Sequence, residues 1–250
     1  FSENLSLEDT KGQVDIPKDI ECVMVLGGDG TMLQAARENQ NSDIPMIGIN
    51  MGTKGYLTEI EVGSLEKALD CLIYDEYHIE SRMMLSGIIH KGGSENKPMC
   101  ALNEISITRK GSLAVIHYNV YVNGQLLKVY SGDGIMVSTP TGSTGYNLSA
   151  GGPIASPQAE LMLLTPICPH SLSSREIVVS GTDEIMVEIS RSRRGSDVSA
   201  VVTFDGREAV ELAMGDKLVV KRSGYSTKLI QVDNRSFFEV LRSKLGAIEQ

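Results

Sequence analysis

A change of period near residue 79 constrains this 250-residue chain more than any other feature. Upstream of it, strand-like and helical spacing alternate. Residues 20–26 form a short run rich in Val and Ile, as expected of a buried parallel strand. Residues 31–38 follow with helical spacing, placing Met32, Leu33, Ala35 and Ala36 on or near one face. A second short strand is predicted over 45–50, and a second helix over 64–74 opened by a Ser64 cap. Strand, helix, strand, helix is the pattern of a doubly wound sheet.

Downstream the helical spacing gives way to β-rich segments at 84–90, 100–109, 113–122, 126–130, 176–180, 184–190, 198–205 and 217–222. Lys91-Gly92-Gly93 and Asn123-Gly124 are the clearest turn signals, and Asn-Gly between apolar runs is a strong hairpin cue. Helical spacing returns over 236–245, with Phe237, Val240, Leu241 and Leu245. The expectation is an α/β + all-β fold. A doubly wound α/β domain occupies residues 1–80 and is completed by 226–250; a β-sandwich occupies 81–225. Two strand–helix units are too thin to cover both faces of a sheet. The first domain is therefore expected both to lack a first strand and helix upstream and to receive the C-terminal segment.

The chain opens on Phe1 rather than Met and is expected to lack its native beginning. No stretch approaches the ~20 apolar residues that span a bilayer, and nothing resembles a signal peptide. Cys22, Cys71, Cys100 and Cys168 are scattered with no CxxC pair, which points to a reducing, cytoplasmic setting and away from a zinc site. A net charge of −9 disfavours nucleic acid and anionic membranes as partners. The basic cluster Arg191, Arg193 and Arg194 reads as a solvated hairpin tip. His78, His90, His117 and His170 lack metal-ligand spacing, and Met83-Met84 reads as core filler.

Three segments carry chemistry. Gly27-Gly28-Asp29-Gly30-Thr31 lies at a strand end and a helix start, where glycines admit a phosphate to backbone amides and the helix dipole favours it. An acid there repels anions unless it acts on a hydroxyl as general base or holds a bridging magnesium ion; the plainer reading is a helix cap. Asn103-Glu104 sits within a strand-like segment, where one of the two would face the core unless both lie at a strand end or bulge. An amide and a carboxylate together suit two sugar hydroxyls. Finally, the buried strand 135–137 runs into a loop of Thr, Ser and Gly over 139–153. That loop offers many hydrogen-bonding groups to a flat polar ligand, with Tyr146 able to pack on a ring or sugar.

In this order and spacing, the Gly-Gly-Asp-Gly element, Asn103-Glu104 and the 139–153 loop resemble the NAD kinase family of the bacterial, ATP- or polyphosphate-dependent type. The ending, with Asn234-Arg235-Ser236-Phe237-Phe238 and Leu241-Arg242-Ser243-Lys244-Leu245-Gly246, is similar to that family's tail. The likeness runs over residues 20–246. The glycine element is shared with lipid kinases and phosphofructokinases; the long loop is the specific part. The resemblance implies phosphoryl transfer from ATP or polyphosphate to the 2′-hydroxyl of the adenosine ribose of NAD, giving NADP. Asp29 matches the family's base, Gly28 and Gly30 the phosphate-facing loop, and Asn103 and Glu104 the pair that holds the ribose. Asp133 with Thr144, Gly145, Tyr146, Asn147 and Ser149 matches the loop binding the adenine and nicotinamide ends, and Asp205-Gly206-Arg207 a short acidic turn near the site. Magnesium arrives with ATP, no residue being assigned as a metal ligand, and members work as homodimers or homotetramers. Two departures are visible: Gly145 stands where the family often has Ala, and Ser131 where some members have Arg, which bears on the donor. The rivals are a diacylglycerol-type lipid kinase, which would be expected to carry a membrane-docking surface, and a non-catalytic NAD sensor, against which Asp29 argues.

Overall fold

The computed structural model describes residues 20–246 except 53, 54, 59, 112–114, 172, 192–198 and 234. Strand β1 (Val23–Gly27) leads into α1 (Asp29–Glu38); β2 (Met46–Asn50) and the two-residue β3 (Ile60–Glu61) lead into α2 (Leu65–Ile73). Next come β4 (His78–Lys91), β5 (Ser94–Glu95), β6 (Met99–Ala101), β7 (Glu104–Arg109), β8 (Ile116–Val122), β9 (Gln125–Gly132) and β10 (Gly134–Ser138). A short α3 (Tyr146–Ser149) lies in the long loop. Then follow β11 (Leu161–Ile167), β12 (Ile177–Ser180), β13 (Ile185–Ser190), β14 (Ala200–Phe204), β15 (Arg207–Leu212), β16 (Lys217–Gln231) and α4 (Phe237–Leu245).

Two sheets result. The larger runs β1-β2-β16-β13-β8-β9, with β3 on β2 and β4 on β16; the smaller runs β12-β11-β10-β7-β14-β15. Strand β16 makes the larger sheet continuous. Its first half pairs antiparallel with β13, and beyond a bulge between Arg222 and Ser226 its second half lies parallel to β2 through Leu229 and Met46. The C-terminal part of the chain thus pairs with β2 of the α/β layer.

Side-chain alternation then assigns each strand face to a layer. Met46 and Leu229 point to a core with Met32 and Ala36 of α1, while their neighbours Ile47 and Ile230 point to one with Ala68 of α2. One helix on each face is the doubly wound arrangement. In β4 the same alternation sends Met83 into the core between the two sheets and Met84 into the core under α1. The inter-sheet core includes Tyr118, Ile135, Val187 and Phe204, all at most 1% exposed. Tyr118 brings a polar tip into it, and its hydroxyl donates to the Gly134 carbonyl at 2.6 Å.

The element boundaries expected from sequence shift for identifiable reasons. Helix α1 starts at Asp29 rather than Thr31, so Asp29 belongs to its first turn. Ser64 precedes α2 without a side-chain cap bond, because residues 62–64 already form a turn of 3₁₀ helix. The segment 100–109 is two strands, broken at Leu102 and Asn103. Strand β11 has no counterpart in the expected set: Pro166 argues against a strand interior, yet it stands opposite Ile135 in a buried antiparallel pair. Strand β15 likewise lies outside the expected set, its charged residues hiding the alternation. The Asn123-Gly124 hairpin holds, both residues having positive φ as a type I′ turn requires. The arginine cluster, beyond Arg191, lies outside the described residues.

Candidate functional site

Asp29 is held by the segment that follows β2. The Tyr56 and Leu57 amides donate to its Oδ2 and Oδ1 at 2.7 and 2.9 Å, and the Thr58 hydroxyl reaches Oδ1 at 3.4 Å. This fixes the carboxylate without exhausting it, since a carboxylate offers about four acceptor positions. Gly55 makes the approach feasible: a Cβ there would fall 1.8 Å from Asp29 Oδ1. At Gly28 and Gly30, by contrast, a Cβ would meet nothing within 4 Å. Neither packing nor a positive φ calls for glycine at these two positions, so both leave clear space in front of the α1 N-terminus, where amides favour an anion. The sequence did not single out Gly55, Tyr56 or Leu57, because backbone amides leave no residue signature.

Asn103 lies in the break between β6 and β7 and Glu104 is the first residue of β7, the strand-end position their polarity required. Their backbone is pinned on both sides. The amides of Leu102, Asn103 and Glu104 all donate to the Asp205 carboxylate, at 2.8, 2.8 and 3.0 Å. The Leu102 carbonyl accepts from the Thr139 hydroxyl at 2.6 Å, and the Asn103 carbonyl from the Thr139 amide at 2.8 Å. The side chains are the opposite case. Asn103 Oδ1 and Glu104 Oε2 are buried with no partner among the described residues. Burial, reinforced by the nearby Asp205 charge, pushes the Glu104 carboxyl up to about 7. Asp205 itself is raised by burial, with the three amides opposing the shift.

The 139–153 loop divides into scaffold and presented groups. Asn147 is scaffold: fully buried, it donates to the Pro153 carbonyl at 3.0 Å and accepts from Thr165 at 2.6 Å. Ser143 braces the loop through both directions of its contact with Ala155. Gly142 is required by a close approach, since a Cβ would lie 2.2 Å from the Asn103 carbonyl oxygen. Gly145 stands against the orphaned pair, its Cβ position 3.4 Å from Asn103 Nδ2 and 3.7 Å from Glu104 Oε2. Tyr146 is 43% exposed at the start of α3, and burial, then Cys168, Glu104 and Asp133, push its phenol up. Ser149 is exposed on the same short helix.

Asp133 lies between β9 and β10 and takes an ion pair from Arg109, Nε to Oδ1 at 2.8 Å. Arg109, not anticipated from sequence, supplies a cation in the region where Ser131 provides none. Ser131 contributes its carbonyl, which accepts from the His170 amide at 2.8 Å. Arg207 is exposed and reaches away to α1, Nη1 donating to Gln34 Oε1 at 2.8 Å. A cleft of about 350 Å³ adjoins these segments, although Asp29, Asn103, Glu104 and Tyr146 are not among the residues that line it. Tyr56 and Leu57, which hold Asp29, line one side of it; Thr141 and Thr144 of the loop line another, with Arg82 and Phe237. Helix α4 closes on this region through Lys244, whose ammonium sits 3.9 Å from the Tyr56 ring centre. No group of three or more His, Cys, Asp or Glu among the described residues could hold a metal ion.

The chain matches two family models, the ATP-NAD kinase N-terminal domain over residues 7–77 and the ATP-NAD kinase C-terminal domain over 102–232. It is 50% identical to an NAD kinase of Agathobacter rectalis over 232 residues, 93% of this chain and 81% of that protein. With an NAD kinase of Lachnoclostridium phytofermentans it shares 45% over 233 residues, 92% of this chain and 82% of the relative. Among solved structures, a yeast NADH kinase complexed with NADH superposes with a TM-score of 0.86 at 26% identity, covering 90% of this chain and 67% of that one. An Archaeoglobus fulgidus NAD kinase in complex with ATP gives 0.77 at 27% identity, covering 90% and 84%. With both family models matched and close relatives aligned over most of their length, this chain belongs to the NAD kinase family.

Proposed function

We propose that the protein phosphorylates NAD at the 2′-hydroxyl of its adenosine ribose, with ATP as donor, at a site to which Asp29 and the Asn103–Glu104 pair both contribute. The observation that carries this reading is the pair of buried, partnerless acceptors, Asn103 Oδ1 and Glu104 Oε2, on a backbone pinned from both sides. A folded chain leaves such groups unpaired at a cost of about 1–3 kcal/mol each, and two adjacent sugar hydroxyls would satisfy both. Membership of the family, and the NADH and ATP named in the two solved complexes, support the choice of nucleotide.

In the reaction, Asn103 and Glu104 hold the ribose, and Asp29 receives the proton of its 2′-hydroxyl. Fixed by the Tyr56 and Leu57 amides, Asp29 loses little orientational entropy when the hydroxyl arrives. Gly28 and Gly30 leave room for the donor phosphates at the α1 N-terminus. Magnesium is part of the MgATP substrate, neutralising phosphate charge; the residues present fit a metal carried by the donor rather than a protein cage, as Asp29 is the lone carboxylate of that glycine loop. Tyr146, Thr144, Gly145 and Ser149 face the rest of the dinucleotide, beside Asp133 with its Arg109 partner. Asn147, Asp205 and Arg207 act through the backbone or the α1 contact instead of touching the ligand.

Polyphosphate as an alternative donor, assembly as a homodimer or homotetramer, a cytoplasmic location and the division into 1–80 with 226–250 and 81–225 belong to the same reading. The free state of Cys22, Cys71, Cys100 and Cys168 supports the reducing compartment. No helix of the described residues is long and apolar enough to cross a membrane. Calorimetry tests the ribose contact: Glu104→Ala weakens NAD by about 1–3 kcal/mol through a lost charge-assisted hydrogen bond and leaves ATP nearly unchanged. Equal losses for both nucleotides would make the pair structural.

A further inference from the structure

We propose that Asp205 is a positioning residue for NAD phosphorylation, its carboxylate fixing the Asn103–Glu104 pair by receiving three consecutive backbone amides. The inference rests on the reading of that pair as the ribose site. Its geometry is independent of that reading: Leu102 N–H donates to Oδ2, and the Asn103 and Glu104 amides converge on Oδ1. Leu102 and Asn103 lie between the end of β6 and the start of β7, outside either strand, and Glu104 is the first residue of β7. On the β10 side Glu104 pairs with Ser138 and the Thr139 amide donates to the Asn103 carbonyl at 2.8 Å, and on the β14 side the Asp205 amide donates to the Glu104 carbonyl at 3.0 Å. Without the carboxylate, buried amides at the break would be left unpaired and the two side chains free to turn.

The turn that delivers Asp205 strengthens the case. Asp205 and Gly206 have φ of +48° and +72° and link Phe204 to Arg207, the two-residue hairpin geometry that suits Asn-Gly as well as Asp-Gly. Conformation therefore does not demand an acid here, whereas three amide donors do. Asparagine at 205 keeps the turn and one acceptor oxygen, but it presents an N–H₂ group to one of the amides. That makes Asp205→Asn a substitution expected to fold while breaking the anchor.

A second consequence separates positioning from bulk stability. Burial is the larger influence holding the Glu104 carboxyl up near 7 and the Asp205 charge the second; the other titratable groups facing this region are Tyr146, from α3, and Arg37 of α1, which lowers the Asp205 carboxyl. Removing the Asp205 charge moves Glu104 titration to lower pH. The test is steady-state NAD phosphorylation by wild type, Asp205→Asn and Glu104→Gln across pH 5.5–9, with thermal melting of each. In Asp205→Asn the KM for NAD is expected to rise about tenfold, the loss of one good hydrogen bond. The KM for ATP stays near wild type, and the pH dependence of the NAD KM shifts downward. Equal rises in both KM values, or an unmoved pH profile with the wild-type NAD KM, overturn the proposal. If Glu104→Gln raises the NAD KM while Asp205→Asn does not, the ribose reading stands and the anchor falls. If Glu104→Gln itself leaves the NAD KM unchanged, the ribose reading fails and takes the anchor with it.

Discussion

Glu104→Gln should stabilise the free protein at alkaline pH and leave it unchanged in acid. Glu104 is 8% exposed, its Oε2 has no partner among the described residues, and burial lifts its carboxyl from 4.5 to about 7. The sign follows from proton binding. Between these two values the folded protein keeps the proton and the unfolded chain releases it, so stability falls as pH rises through that window and levels off above it. Every pH step of one across the window is worth about 1.36 kcal/mol, so the penalty above pH 7 reaches roughly 3 kcal/mol. Glutamine keeps the shape and removes the charge. For a chain of this length each kcal/mol moves the melting midpoint by about 2–4 °C. Melting by circular dichroism should therefore show the variant about 6–12 °C above wild type at pH 8 and level with it at pH 4.5. A variant less stable than wild type at pH 8, or an equal difference at both pH values, would refute the reasoning. In that case Glu104 would be a satisfied structural carboxylate.

Other perturbations follow from the same geometry. Gly55→Ala places a methyl against Asp29 Oδ1 and should cost most of the activity along with about 1–3 kcal/mol of stability, read by turnover and urea unfolding. Tyr146→Ala should weaken NAD in calorimetry by a few kcal/mol at most, an aromatic contact being worth about 0.5–1.5 kcal/mol beyond its buried area, with ATP unaffected. Ser131→Arg should change the ratio of polyphosphate to ATP use in parallel donor assays while NAD affinity stays near wild type. An altered NAD affinity would show that residue 131 acts on the acceptor.

The sequence made the chemistry-bearing segments legible because each combined side chains with a strand context that would be wasteful in a core. Asn103-Glu104 could sit in a β segment only at a strand end or bulge, and the start of β7 is where it lies. Gly-Gly-Asp-Gly after a Val/Ile-rich run pointed to the α1 N-terminus, although β1 ends the sheet order and buries Val25 alone instead of forming the buried strand expected. What stayed hidden was held by backbone. The Tyr56 and Leu57 amides on Asp29, and the Leu102, Asn103 and Glu104 amides on Asp205, depend on tertiary approach that no local pattern encodes. Arg109 was missed because its partner Asp133 lies 24 residues away across a strand pair. Among the elements, β11 escaped because Pro166 mimics a breaker, and the full length of β16 because its bulge at Arg222–Ser226 interrupts the alternation midway.

The decisive experiment is a coupled assay for NADP, comparing wild type with Asp29→Asn in the presence of NAD and MgATP, without detergent or vesicles. NAD binding by both proteins is followed by calorimetry. Wild type is expected to form NADP in solution, and Asp29→Asn to lose about 10²-fold or more with NAD affinity retained, as removal of a general base requires. Near-normal turnover in Asp29→Asn would contradict the role given to that carboxylate. No NADP from wild type, with diacylglycerol phosphorylated in vesicles instead, would contradict NAD as the acceptor altogether.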